Sequence, residues 1–180
     1  MINPSLCIMA RRSRQLSGLI LLLLFFGLWP LTVKADAPVL LNFPNSTRAI
    51  AVDSLNLRRE PFQLTAPLPF TGATDQRTRI MLFALNIKGA SVSQVKVQAE
   101  DQALRRYDLK VEYVGSVPGA GLENLTEVVV KLNDTLTNVG DLFVQLTYQG
   151  VASNRVRVGV GFLGDGASVL DFDGSPKSVD

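Results

Sequence analysis

The sequence predicts an all-β protein, an antiparallel sandwich or barrel of about seven strands. Three observations carry that expectation. Short runs alternate apolar with polar residues, turn residues punctuate them at close spacing, and beyond residue 35 no stretch shows the periodicity of an amphipathic helix. The clearest pair is near the end. In GDLFVQLTY, Leu142, Val144, Leu146 and Tyr148 share one phase; Val156, Val158 and Val160 share another, with QGVASN as the connection. Two such strands joined by a short link each bury one face in a common core.

Arg11, Arg12 and Arg14 precede an apolar run from Leu16 to Val33, which ends at Val33-Lys34-Ala35. A basic segment, an apolar core and small residues flanking a cut make up a secretory signal, so residues 1–35 are expected to be a signal peptide cleaved after Ala35. A retained anchor competes with that reading, since the run of 18 residues reaches the short end of a bilayer span. Pro30 and the KADA stretch favour cleavage, after which no membrane span remains. Either way the rest of the chain is expected to be extracytoplasmic: secreted, periplasmic or at the cell surface.

Export changes the charge balance. The chain has 18 Lys and Arg against 16 Asp and Glu, but four of the basic residues precede residue 36, leaving 14 against 16. A nearly neutral product has no electrostatic reason to follow a phosphate backbone, so nucleic acid is not an expected partner. Cys7 is the only cysteine and leaves with the signal, so no disulfide is expected. Residues 36–180 are long enough to build one core without such staples.

Residues 36–47 read as a lead-in with one short strand, Val39 to Phe43, between two prolines, and residues 48–161 hold the domain. Its first strand, 49–57, carries a phase change: Ile50 and Val52 share one phase and Leu55 and Leu57 the other, as a bulge or bend at Asp53-Ser54 would make. Pro61, Pro67 and Pro69 forbid a helix over the next stretch and suit an edge or a crossing. The second strand, 79–87, is apolar on both phases, which fits a central strand covered on both sides. Strands 94–100 and 107–114 flank a turn around Asp101 to Arg105, and Tyr113 shares its phase with Leu109 and Val111, which places it in the core. The longest loop, Gly115 to Leu125, leads to strand 126–132, and a connection over 133–140 leads to the closing pair, 141–149 and 154–160. Residues 162–180 are expected to be an acidic Gly/Asp tail, flexible or partly docked, in which Val169, Leu170 and Phe172 can add a short contact.

Histidine is absent from the whole chain and cysteine from the exported part. That removes Cys/His zinc sites, histidine-based triads and thiol nucleophiles together. The carboxylates sit mostly in turns or on outward phases, where an Asp caps backbone groups. No enzyme activity, catalytic residue or cofactor is therefore expected. Asp171 and Asp173, followed by Gly174, imitate part of a calcium loop, but the glycine falls at the wrong position and no closing glutamate follows, so an acidic soluble tail is the simpler reading. Candidate surface contacts are Arg77, Arg79, Arg105, Arg106, Tyr107 and Asn124, which lie in or beside the loops Phe70–Gln76, Gln102–Tyr107 and Gly115–Leu125. Those loops are expected to gather at one end of a rigid scaffold.

The stretches Asp75-Gln76-Arg77-Thr78-Arg79, Val111-Glu112-Tyr113-Val114-Gly115 with Val117-Pro118-Gly119, and the terminal Ser153-Asn154 stand in a recognisable order. Over about Arg48 to Gly161 the chain resembles an uncharacterised immunoglobulin-like domain of large exported proteins of Acidobacteria and similar bacteria. The resemblance implies an immunoglobulin-like antiparallel β-sandwich of about seven strands, outside the cell, in proteins whose other parts carry adhesion or recognition roles. It transfers no catalytic or ligand residue. The function expected is a non-catalytic exported module that touches a protein partner or a cell-surface polymer, in adhesion, structure or surface assembly. A carbohydrate-binding module using Tyr107 and a calcium-dependent adhesion subunit using Asp171 and Asp173 are the alternatives.

Overall fold

The alternating runs of the sequence appear as eight strands in the computed structural model, which describes residues 36–66 and 75–164. They are β1 (Val39–Leu40), β2 (Ala51–Asp53), β3 (Arg79–Leu85), β4 (Val95–Asp101), β5 (Arg106–Ser116), β6 (Thr126–Lys131), β7 (Gly140–Tyr148) and β8 (Val151–Val160). Neighbours pair antiparallel in the order β1-β3-β6-β5-β4-β7-β8, and β2 also pairs with β3. No α-helix occurs among the described residues, and one 3-10 turn, Val92–Gln94, leads into β4. The described residues are thus all-β and antiparallel, with their sheet nearly closed into a barrel.

Closure comes from the chain before β3, which meets the free edge of β8. The Arg157 N–H donates to Thr47 O at 2.7 Å and the Ala49 N–H to Arg157 O at 2.8 Å. Further on, the Phe62 N–H donates to Gly159 O and the Gly161 N–H to Phe62 O, both at 2.8 Å, so two parallel bridges line the seam. At β1 a side chain replaces the backbone. Asn154 Nδ2 donates to Leu40 O at 3.0 Å and its Oδ1 accepts the Leu40 N–H at 2.7 Å. The segment expected as a lead-in therefore supplies part of the sheet, and Leu40, 1% exposed, joins the core.

The core follows from the two-residue period. Ile80 and Leu82 of β3, Val128 and Val130 of β6, Leu142 and Leu146 of β7, and Val156 and Val158 of β8 all point inward and are at most 1% exposed. Each such side chain contributes about 1.5–3 kcal/mol by leaving water. On β3 the second apolar phase, Met81, Phe83 and Leu85, faces outward and is only half-buried, so the strand is not covered equally on both sides.

Three local expectations change. The strand expected over 49–57 stops at Asp53, whose buried carboxylate accepts the N–H groups of Leu55 at 2.8 Å and Asn56 at 3.3 Å. An Asp in that position turns the chain, and Leu55 and Leu57 emerge exposed. The connection between β7 and β8 shrinks to Gln149-Gly150, with φ of 50° and 82°, the two left-handed residues of a tight hairpin turn. Ala152 to Asn154 thereby become strand, and a bulge sets Ser153 and Asn154 against Leu146. The Ser153 hydroxyl accepts the Leu146 N–H at 3.0 Å and donates to Asn154 O at 2.7 Å. Finally, a register shift at Glu112 moves Tyr113 to the outer face, opposite Val129 and 47% exposed, instead of into the core. A Cβ on Gly115 would overlap the Tyr113 ring, which accounts for glycine there.

The side-chain clasp at β1 gives a test. Asn154→Ala leaves the Leu40 N–H and C=O without these partners and is expected to lower unfolding stability by about 1–3 kcal/mol in urea titrations. An unchanged midpoint would show that the clasp does not hold the seam.

Candidate functional site: the outer face of β5-β4-β7-β8

Residues on the outward phase of β4, β5, β7 and β8 make a face distinct from the core. The register sets Glu100 of β4 beside Arg106 of β5 and Phe143 of β7, and Gln98 beside Asp108 and Gln145. On β8, Arg157 lies opposite Phe143 and Arg155 opposite Gln145. Gln98, Glu100, Arg106, Phe143, Gln145 and Arg155 surround an open depression of about 130 Å³.

Its electrostatics centre on one carboxylate. Arg106 Nε lies 2.9 Å from Glu100 Oε2 and Arg155 Nη2 lies 2.8 Å from Oε1. The Arg106 hydrogen bond, joined by Arg155, holds the Glu100 carboxyl below its ordinary range against the opposing effect of burial. Two guanidiniums on one carboxylate leave one positive charge. The Arg155 guanidinium also sits 4.9 Å from the centre of the Phe143 ring, within cation–π range. Phe143 is only 5% exposed although it lies outside the core cluster. Gln98 and Gln145 are held by Asp108 and by Ser153 O, each at 2.8 Å.

At the β8 margin the face is closed by ions. Asp141 Oδ1 lies 2.7 Å from Arg48 Nη1, and its Oδ2 lies 3.4 Å from Arg157 Nη1. Arg48 also reaches Glu60 at 3.2 Å, and Glu60 accepts the Gly159 N–H at 2.7 Å. Asp141 and Arg157 are 3% and 4% exposed, so removing one partner would strand a buried charge. This cluster ties β7 and β8 to the segment that covers the seam.

The residues singled out from sequence do not form one site. Arg79 bonds Glu112 at 3.0 Å and Asp75 at 3.0 Å, Lys131 joins Asp75 at 3.2 Å, and Arg77 donates to the carbonyls of Asp134 and Leu136. The motif Asp75 to Arg79 is therefore bound up in fastening the start of β3 to the 133–136 connection and to the bulge in β5. Burial opposes the charged Glu112 carboxylate, but Arg79 and Lys110 together outweigh it and the net shift is downward; at Asp75 the Arg77 N–H is the main cause of the lowered pKa. Arg105 and Tyr107 converge on Asp101, at 2.8 Å and 2.9 Å, within the β4–β5 turn. Arg106 alone of the six lies on the face described above. Asn124 is exposed in the loop after β5, at the opposite end of that strand from Arg105 and Tyr107, so the two loops do not share an end. Residues 70–74 and the calcium candidates Asp171 and Asp173 lie outside the described residues. Among the described residues no cluster of three or more His, Cys, Asp or Glu could hold a metal ion.

Phe143, Gln98 and Gln145 escape the reading of the sequence, and Arg155 and Glu100 read there as ordinary charges on an outward phase. The available signal was Phe143 itself, an aromatic on the polar phase Asp141-Phe143-Gln145-Thr147. The face offers guanidinium and amide donors around a ring edge, which suits reversible contact with acidic or amide-bearing groups. No family model matches the chain, and no curated protein or solved structure does.

The turn below the face titrates. Burial raises the Asp101 pKa, but the Arg105 N–H, the Tyr107 hydroxyl and the Arg105 guanidinium outweigh it and the net shift is downward. Its stabilisation is therefore complete above the ordinary Asp range and is lost as pH falls through the depressed folded value. Asp101→Asn should cost about 1–3 kcal/mol at neutral pH. The gap from wild type should close below about pH 4 in denaturation curves taken across pH. A gap independent of pH would contradict this role.

Proposed function

We propose that the protein is an exported, non-catalytic immunoglobulin-like β-sandwich that works by contact with a protein partner, and that the outer face of β5-β4-β7-β8 is its contact surface. Strand order supports the fold reading. Lettered in chain order, with β1 and β2 together as A, the strands run A-B-E-D and then C-F-G, the grouping of the two sheets of that fold. The basic stretch and apolar run before Ala35 support export.

The observation that carries the contact reading is the constellation at Phe143. An aromatic ring on an outward phase is flanked by Arg155 and by the 76%-exposed Arg106 side chain, in a setting without histidine or cysteine chemistry. Arginine and aromatic residues together are the side chains that dominate binding energy at protein interfaces. Among the described residues no helix is long and apolar enough to cross a membrane.

A photo-crosslinking residue at Gln98 or Arg106 of the exported protein, in its own cells, should yield a discrete protein adduct. The same residue at Glu127, on the other outer face, should not. Adding Arg155→Glu to the Gln98 probe should reduce the adduct about tenfold or more. Equal labelling from both faces, or none from Gln98 and Arg106, would overturn the assignment.

A second reading rests on Tyr113. Its ring lies against Gly115 on the outer face of β3-β6-β5 and is 47% exposed, a platform on which a sugar ring can stack. Retention on cell-wall polysaccharide that disappears with Tyr113→Ala would support it, and equal retention of the variant would remove it.

A further inference from the structure

β3 is apolar on both of its phases. Ile80, Leu82 and Ala84 fill the core, whereas Met81, Phe83 and Leu85 stand part-exposed on the outer face of β2-β3-β6-β5. The register carries that patch sideways: Val52 of β2 lies opposite Met81, Met81 opposite Val129 of β6, and Val129 opposite Tyr113 of β5. The solvent side of an antiparallel sheet is ordinarily its polar side. A continuous apolar row there marks a contact surface.

β6 shows what that surface fits. Its outward phase is Glu127, Val129, Lys131, a carboxylate and an ammonium spaced evenly about a valine. Glu127 makes no ion pair or side-chain hydrogen bond among the described residues. Lys131, at the other end of the face, belongs to a network of Arg77, Arg79, Lys110 and Lys131 with Asp75, Glu112 and Asp134. Asp108, two residues before Lys110 on β5, is engaged by Gln98. Any body that covers the apolar row without bringing a cation would strand the Glu127 carboxylate away from water.

A second copy of the chain brings that cation by symmetry. A two-fold axis along the Met81-Val129-Tyr113 row, perpendicular to the strands, lays this face on the same face of another molecule. Val129 then lies over Val129, Glu127 of each copy over Lys131 of the other, and Phe83 over Arg79. Sheets stacked in this way lie about 10 Å apart with their strands about 30° from alignment, and the two-fold makes each of these contacts twice.

We infer that the outer face of β2-β3-β6-β5 is an isologous interface between two copies of this chain, closed by the apolar row at its centre and by Glu127 to Lys131 pairs at both ends. The pairing leaves the outer face of β4-β7-β8 free on each copy, so it stands whether or not a partner binds there. A crosslinking residue in place of Glu127 removes the carboxylate and so the pairing, which leaves the contrast between the two faces in that experiment unchanged. Tyr113 is covered in the pair, so the dimer and the sugar platform exclude one another.

Sedimentation velocity of the exported protein over a concentration series should show a monomer–dimer equilibrium. Glu127→Lys sets like charges together at both ends of the interface and should raise the dimer Kd about tenfold or more. Met81→Glu, at a position outside every ion pair, should do the same and leaves the fold's own networks intact. Equal amounts of Glu127→Lys and Lys131→Glu, each monomeric alone, should form a heterodimer, because each variant supplies the charge the other lacks; if Lys131→Glu does not fold, the Met81→Glu result decides. A monomer at every concentration overturns the inference, and is the result expected if another stretch of the chain or a different partner covers the face. So does a dimer indifferent to Glu127→Lys and Met81→Glu, since the copies would then meet elsewhere.

Discussion

β5 is hydrogen-bonded on two edges that meet along its length without overlapping. Arg106 to Leu109 pair with β4, and Lys110 to Ser116 pair with β6. Along the strand order β3 and β6 lie on one side of it and β4, β7 and β8 on the other, and the two groups meet again only at the seam between the early chain and β8. A strand that serves two partners in succession must twist between them, and the register shift at Glu112 supplies twist where the second pairing begins. Arg79 holds that bulge residue by its carboxylate at 3.0 Å, so a side chain of β3 positions the irregularity of β5. On the β4 side, the divergence opens a groove lined by Val92, Val95, Val97, Leu109 and Val111, with the 3-10 turn at its edge.

The charged residues divide according to this geometry. One group, Asp75, Arg77, Arg79, Glu112, Lys131 and Asp134, secures the strands next to the bulge. A second, Arg48, Glu60, Asp141 and Arg157, secures the opposite seam, where the early chain meets β8. Between them the Glu100, Arg106 and Arg155 set neighbours an aromatic ring, and its Arg106 side chain is largely exposed. Ion pairs that are largely buried act as positional locks more than as sources of net stability, whereas exposed ones can exchange partners at little cost. The buried Arg48-Glu60-Asp141-Arg157 cluster is of the first kind, and the exposed Arg106 arm of the Glu100 pair is of the second.

Strand identity was legible because the period of two survives in single residues: Val95, Val97 and Ala99 alternate with Lys96, Gln98 and Glu100, and the structure keeps that phase. Phase was not legible where a single residue breaks it. Nothing in VEYVG marks Glu112 as the extra residue, so simple alternation groups Tyr113 with Val111 although it emerges on the other face. Turn chemistry was partly legible: Asp101 anchors its turn as expected, while Asp53 ends a strand that the apolar residues after it would extend. The Gln149-Gly150 turn lacks the Asn or Asp that would have announced it. Site residues were the least legible, because Arg77, Arg79 and Tyr107 have the same composition as a contact surface and only long-range pairing shows that their polar groups are already engaged within the fold.

Native-state hydrogen exchange of residues 36–180 tests the central role of β5 most directly. If β5 binds the two groups of strands into one unit, hydrogen-bonded amides of Arg106–Leu109 and of Lys110–Ser116 should exchange through the same global opening, with equal free energies and equal dependence on denaturant. Two distinct opening energies, with β4, β7 and β8 following one and β3 and β6 the other, would contradict the account.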